Sequence, residues 1–255
     1  MNLRFPGSRT FATASIIGYL VATAAIYAET PQPDTESRDA VSGTAESLIT
    51  SGSAGQADTV VSGTGTYQVV AYKPHHPQDV RVDVSLSKQQ VYVMEGDHCL
   101  MAAACNVGVP QKPTPKGHFK IEEKIVNKRS GAYGYSVSNG TITPCVAGEC
   151  HGSYVGYPMP FWCEFAPAYG FHQGYVWPMP RTHGTIRLDK QVAPRFFEMV
   201  ECGTPVSIAD TQPEDATVGK DARRPDDYLD PDPAPSFMIG PGPFQKPVGT
   251  LLIEK

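Results

Sequence analysis

Apolar and polar residues alternate along the middle of this chain at the two-residue period of half-buried strands. Between Arg81 and Met94 the apolar positions are Val82, Val84 and Leu86, then Val91 and Val93, with Ser87 to Gln90 between the two groups. That spacing predicts two short strands joined by a tight turn. Glu95, Gly96 and Asp97 form a second turn signal, and Leu100 to Val107 extends the sheet until Pro110, Pro113 and Pro115 interrupt it. Lys116-Gly117-His118 re-enters a strand over Phe119 to Val126. From Asn127 to Tyr157 the chain is rich in Gly, Ser and Tyr, which predicts a long surface excursion.

A single helix is expected after residue 188. Asp189 is placed to cap it, Ala193, Phe196, Phe197 and Val200 fall at offsets of 3, 4 and 7, and Gly203 is placed to end it. The apolar stripe is a packing face. Together these elements predict a mainly β fold, a largely antiparallel β sandwich or partly closed barrel with one packed helix.

The two ends differ from the middle. Arg4 and Arg9 precede an apolar run from Phe11 to Ala28 with small residues near its end. This is the pattern of a signal peptide cleaved near Ala28, or of a retained N-terminal anchor. No cysteine precedes Cys99, so no lipoprotein-type anchor is expected. Residues 29–66 are mostly small and polar and read as a flexible linker, because they bury too little apolar surface to offset the entropy of ordering. Residues 209–255 form a Pro-rich acidic tail expected to be mostly disordered, with apolar stretches at Phe237 to Ile239 and Leu251 to Ile253 that could dock. The domain is placed at 67–208.

Charge follows the same division. Residues 67–208 carry 13 Lys/Arg against 11 Asp/Glu, whereas the flanks carry 8 against 15. A near-neutral domain with acidic ends lacks the basic face that nucleic-acid binding needs, so no nucleic-acid partner is expected. All six cysteines lie in the domain, and in an exported chain some would form disulfides. Cys145 and Cys150 bracket a short loop and are the easiest local pair. Cys99 and Cys105 lie about 20 Å apart if on one strand, too far to bond. Cys145, Cys150 and His151 have no second Cys/His pair to complete a zinc site, so neither metal nor organic cofactor is expected.

The chemistry concentrates in Phe171 to Leu188, FHQGYVWPMPRTHGTIRL. His172 and His183 flank a short loop that holds Gly174, Pro178 and Pro180, and a Thr-His-Gly-Thr turn runs into Ile-Arg-Leu. This segment resembles the signature of the L,D-transpeptidase (YkuD) family, which reads His, a variable loop, Ser/Thr-His-Gly-Cys, then Ile/Val-Arg-Leu. Further stretches carry the likeness from about residue 80 to 208: Val82 to Met94, the Thr-Pro-x-Gly-x-Phe turn within Asn106 to Phe119, Tyr157 to Phe165, and Cys202 to Ile208. One position departs from the pattern: Thr185 stands where the family has its nucleophilic cysteine.

The resemblance implies a β fold of that family and an acyl-transfer site. It gives His172 as the base, with its ring held by the carbonyl of Gln173. His183 and Gly184 would shape the nucleophile's turn, with backbone N–H groups near Gly184 and Thr185 as the oxyanion hole. Arg187 would meet a peptide carboxylate. Tyr133, Tyr135, Tyr154 and Tyr157 are cleft-wall candidates or simply exposed loop residues. Peptidoglycan stem peptides would be the partner, and the periplasm or cell envelope the location. A threonine hydroxyl is far less acidic than a thiol, and its methyl crowds the line of attack, which weakens or abolishes transpeptidation. The resemblance therefore implies a weakened cell-wall acyltransferase or a non-catalytic stem-peptide binder. A purely structural secreted domain would not need two histidines, a glycine turn and an arginine at these spacings. Cys163 and Cys202 are expected as buried or disulfide-bonded thiols.

Overall fold

In the computed structural model, residues 67–225 and 233–254 are described, and they fall within one compact unit. The expected signal peptide or anchor (1–28) and linker (29–66) lie outside the described residues. Ten strands form one mixed sheet: β1 (Val80–Ser85), β2 (Gln90–Glu95), β3 (His98–Asn106), β4 (Gly117–Lys120), β5 (Glu123–Ser138), β6 (Thr141–Val146), β7 (Ser153–Ala166), β8 (Tyr169–Gln173), β9 (Ile186–Leu188) and β10 (Pro205–Ala209). Their spatial order is β4-β10-β1-β2-β3-β9-β8-β7-β5-β6. The chain is thus mainly β, as its alternation predicts.

The first hairpin follows the apolar period closely. Val82 pairs with Val93 and Val84 with Val91, and all four are buried. Gln89, at φ 49, supplies the left-handed turn residue between the strands. The strand expected over Phe119 to Val126 is broken in two. At the break the Ile121 amide donates to Thr204 O (2.9 Å) and the Glu122 amide to Glu164 O (2.7 Å). β4 therefore pairs with β10, while β5 pairs with β7 in the other half of the sheet. This crossing curls the sheet onto itself around one apolar interior.

The stretch from Asn127 to Tyr157 is no strandless excursion. It builds the sixteen-residue β5, the outermost strand β6 and the start of β7. Its residues are nearly all exposed or half-exposed, so they carry no clean two-residue period. Gly134 and Gly156 face each other where the ladder is irregular, and a Cβ on Gly156 would lie 2.0 Å from Ser130 O. Cys145 and Cys150 are disulfide-bonded beside the end of β6, with Cα atoms 5.6 Å apart.

Helix α1 (Ala193–Met199) seals one side of the interior. Phe196 is fully buried and its ring lies 4.5 Å from that of Phe171, which in turn meets Phe165 at 5.4 Å. Asp189 caps the turn leading into the helix, accepting from the Gln191 amide at 2.6 Å, whereas Val192 is the N-cap itself. The C-cap is Val200, and Gly203 (φ +99) falls in the turn beyond it. Cys105 and Cys163 are buried free thiols, both pushed up to about 12 by burial, and Cys202 is exposed.

Described parts of the acidic C-terminal segment rest on the outer face of β1 and β2. Asp215 accepts from Ser85 Oγ (2.8 Å) and Tyr92 Oη (2.7 Å), and Gln212 Nε2 donates to Val84 O and Ser207 O (both 3.1 Å). The polar outer row of β1 and β2 gives the polar side chains of this segment fixed hydrogen-bond partners, which offsets part of its ordering entropy. A short helix α2 (Pro235–Ile239) lies against β7. Among the described residues, no helix is long and apolar enough to cross a membrane.

Phe196→Ala would empty the contact between α1 and β8. A stability loss of about 3–5 kcal/mol is expected, read as a lowered midpoint in urea denaturation with an unchanged slope.

Candidate active site

β8 and β9 run parallel, with His172 opposite Arg187 and Phe171 opposite Ile186. Side chains alternate along a strand, so Phe171, Ile186 and Leu188 enter the core. His172, Arg187 and the residue just before β9, Thr185, share the opposite face. There His172 Nε2 lies 3.2 Å from Thr185 Oγ1, and its Nδ1 donates to Gln173 O at 2.8 Å. That bond leaves Nε2 as the acceptor toward the hydroxyl. The ring is 2% exposed and stands 6.2 Å from the ring of Trp162.

Burial, and then the nearby Arg187 cation, lower the His172 pKa to about 3, although the bond to Gln173 opposes the shift. His172 is therefore neutral at neutral pH. His183 sits at the exposed rim, its pKa lowered by partial burial, Lys112 and Arg187. Its ring packs edge-on against Tyr133 at 4.6 Å, and Lys112 Nζ donates to Tyr133 Oη at 2.7 Å. His183 thus belongs to the mouth of the site, not to the contact with Thr185.

The turn carrying Thr185 is held from within by Thr182, which is 1% exposed. Its hydroxyl donates to Thr185 O (2.6 Å) and accepts from the Gly184 amide (3.1 Å). The Gly184 N–H is consequently engaged inside the turn, so Gly184 acts here on shape rather than as an open oxyanion donor. Its φ is +105, and a Cβ at this position would lie 2.5 Å from the Tyr169 ring, so glycine alone fits. Gln173 contributes its carbonyl to His172. Tyr157 lies beside Arg187, whose guanidinium is 5.9 Å from the ring. Tyr154 instead donates to Ser130 O at 3.0 Å and ties β7 to β5.

Several residues that shape the site carry no strong local signal. The loop from Gly174 to Arg181 is held by its carbonyls: Asn106 Nδ2 donates to Trp177 O (3.1 Å) and Met179 O (2.7 Å), and Gln89 Nε2 to Pro178 O (2.7 Å). Thr182 can be found from its place in the Thr-His-Gly-Thr turn. Asn106 and Gln89 cannot, because a carboxamide that meets a distant carbonyl leaves no spacing pattern.

A cavity of about 460 Å³ opens alongside, between Tyr157, Gln173 and Lys190 on one wall and Phe237, Met238 and Pro243 of the C-terminal segment on the other. Its lining reaches Gln173 but does not include His172 or Thr185. The His172–Thr185 pair therefore stands apart from this cavity. Arg187 Nε is buried without a hydrogen-bond partner, so the cation at the border of the two regions has unused donor capacity. Among the described residues, no group of three or more His, Cys, Asp or Glu is arranged to hold a metal ion.

Residues 79–208 match the family model of the L,D-transpeptidase catalytic domain, YkuD. Among solved structures, an L,D-transpeptidase (Yku) from Stackebrandtia nassauensis is 18% identical, over 56% of this chain and 60% of that one, with a TM-score of 0.40. An Enterococcus faecium L,D-transpeptidase is 25% identical over 51% of this chain and 50% of that one (TM-score 0.39). L,D-transpeptidase 1 of Mycobacterium tuberculosis is 17% identical over 51% and 59% (TM-score 0.38). The match therefore spans between half and three fifths of each of those chains. Comparison with curated proteins gives no match.

The buried neutral histidine makes a pH prediction. His172 titrates near 3 when folded but near 6.5 when unfolded, so between those values the unfolded chain binds a proton that the folded chain does not. Stability should fall on acidification through this window, by up to about 1.4 kcal/mol per pH unit from this residue. His172→Gln should flatten the dependence of Tm on pH between about 7 and 4, which thermal denaturation across that series would reveal.

Proposed function

Because the chain belongs to the L,D-transpeptidase catalytic domain (YkuD) family, we propose that it acts on the stem peptides of peptidoglycan, with His172 and Thr185 as an acyl-transfer pair whose turnover the hydroxyl greatly reduces. The 3.2 Å contact from His172 Nε2 to Thr185 Oγ1 carries this reading. In the proposed step, Thr185 Oγ1 adds to the carbonyl carbon after the third stem residue while its proton passes to His172 Nε2. The C–N bond then breaks, and the terminal D-alanine leaves with that proton. The amine of a second stem next adds to the ester carbonyl and gives a proton to His172 Nε2, which passes it to Thr185 Oγ1 as the ester C–O bond breaks. Arg187 pairs with a substrate carboxylate, Tyr157 and Gln173 line the approach, and Tyr133 and His183 form the rim. N-terminal residues 1–28 direct export, and the periplasm or cell envelope is the place of action.

Two features make the step slow. A hydroxyl has a far higher pKa than a thiol, so it needs a strong base. His172, with a pKa near 3, accepts a proton poorly. The same low basicity favours a second reading, in which the domain binds stem peptides without acylation and serves as a scaffold or regulator.

A carbapenem separates the readings, since opening its lactam ring leaves the whole molecule on the nucleophile. Intact-mass measurement is expected to show one carbapenem added to Thr185→Cys within minutes, whereas the native protein gains it at least about 10²-fold more slowly. A native protein that never gains the adduct, yet shifts its Arg187 resonances with a tetrapeptide, is the binder. Absence of both adduct and tetrapeptide binding in both proteins would end the stem-peptide assignment.

A further inference from the structure

The β8–β9 pairing brings His172 and Thr185 to one face, and the loop from Gly174 to Arg181 leads from the strand that carries His172 into the turn that carries Thr185, so its path bears on how that turn is seated. Three consecutive carbonyls on it, those of Trp177, Pro178 and Met179, are bound by side-chain donors from elsewhere. Two of the donors, Gln89 and Asn106, come from within the family-matched residues 79–208. The third does not. Arg224, in the C-terminal segment, donates from Nη2 to Trp177 O at 2.8 Å and to Cys105 O at 3.2 Å, and from Nη1 to Lys88 O and Gln89 O, both at 3.4 Å. One planar fork thereby joins the β1–β2 turn, the end of β3 and the loop.

We infer that Arg224 is a positioning residue for the His172–Thr185 pair, acting through the 174–181 loop, so that the site is completed by a segment outside the family domain. This rests on reading that pair as the acyl-transfer centre. The guanidinium makes no ion pair with a carboxylate among the described residues, and its Nε is buried without a partner. A half-buried cation whose hydrogen bonds among the described residues all go to backbone carbonyls gains little for the stability of a fold. Its fixed donor directions are suited to holding separate backbone segments in register. The loop continues directly into Arg181 and Thr182, whose amides donate to Val107 O at 3.1 and 3.0 Å. Arg181 also stacks on the Trp177 ring at 3.9 Å. Trp177 O is shared with Asn106 Nδ2 at 3.1 Å, so loss of Arg224 would leave the carbonyl on the longer of its two bonds and loosen the loop at the root of the Thr185 turn.

The test uses the full chain with Thr185→Cys and compares Arg224, Arg224→Lys and Arg224→Ala. Carbapenem acylation is followed by intact mass, and the His172 ring nitrogens by NMR without ligand. Arg224→Ala is expected to slow acylation on the order of 10²-fold, the cost of misplacing a reacting group by about 1 Å, and to shift the His172 ring resonances. Arg224→Lys should fall between the two, and added guanidinium ion should recover part of the rate in Arg224→Ala. Acylation within about twofold of the parent in the variants would overturn the inference. So would slowed acylation with unchanged His172 resonances, which marks general destabilisation. If Arg224→Ala does not fold, Arg224→Lys alone decides by the same two readouts. Should the Arg224 parent fail to acylate, the acyl-transfer reading falls, while the His172 resonances still report whether Arg224 positions the ring.

Discussion

The parallel pairing of β8 with β9 is the constraint on which the rest of the site depends. It places Phe171 and Ile186 on the core face and, one residue on, His172 and Arg187 on the other. The core face is anchored by the aromatic contacts from Phe171 to Phe165 and Phe196. A slip of one residue in β8 would turn His172 into the core and Phe171 outward, and a slip in β9 would do the same to Arg187 and Ile186, so hydrophobic burial on one face fixes the register of the polar residues on the other. The curl of the sheet at Ile121–Glu122 and the packing of α1 serve the same end, since both keep that aromatic interior closed.

Within this frame His172 and Thr185 are closely placed, and the proposed slow acyl transfer follows from what each can supply. His172 is held by the Gln173 carbonyl, screened from water and kept neutral, and its free nitrogen meets the residue at position 185. A thiol there would have little to ask of the base, because much of its acidity is intrinsic. A hydroxyl asks for more than a buried imidazole beside an arginine can give. The Thr182 hydroxyl, which accepts from the Gly184 amide and donates to the Thr185 carbonyl, keeps the turn in its shape whatever side chain stands at 185. Those two bonds reach only backbone atoms of residues 184 and 185, so under the proposed function a change of side chain at 185 bears on rate more than on the turn.

Much of this is legible in the sequence, and unevenly so. β1 and β2 show a clear two-residue period because Val82, Val84, Val91 and Val93 share one buried apolar face. β5 to β7 do not, because glycine, serine and tyrosine lie mostly exposed or half-exposed and the pairing is held by backbone bonds and a disulfide. The His172 to Arg187 segment can be read because its roles lie close together along the chain. Gln89, Asn106 and Arg224 cannot, since each meets backbone carbonyls from a distance and any donor of the right reach would look the same. The C-terminal segment is similarly opaque: its composition predicts disorder, and its contacts with Ser85, Tyr92 and Val84 depend on a polar strand face brought to it by folding.

Both borders of the ten-stranded sheet are blunted. On one side β6 carries Pro144, which has no amide hydrogen to offer, and a covalent loop closes next to it through Cys145 and Cys150. On the other side β4 is only four residues long, preceded by Lys116 and ending in Lys120. An open sheet of this width would otherwise template the addition of foreign strands. With a proline and a cross-link at one margin and a charged stub at the other, the fold discourages self-propagating aggregation in crowded surroundings without drawing on any residue of the reactive face.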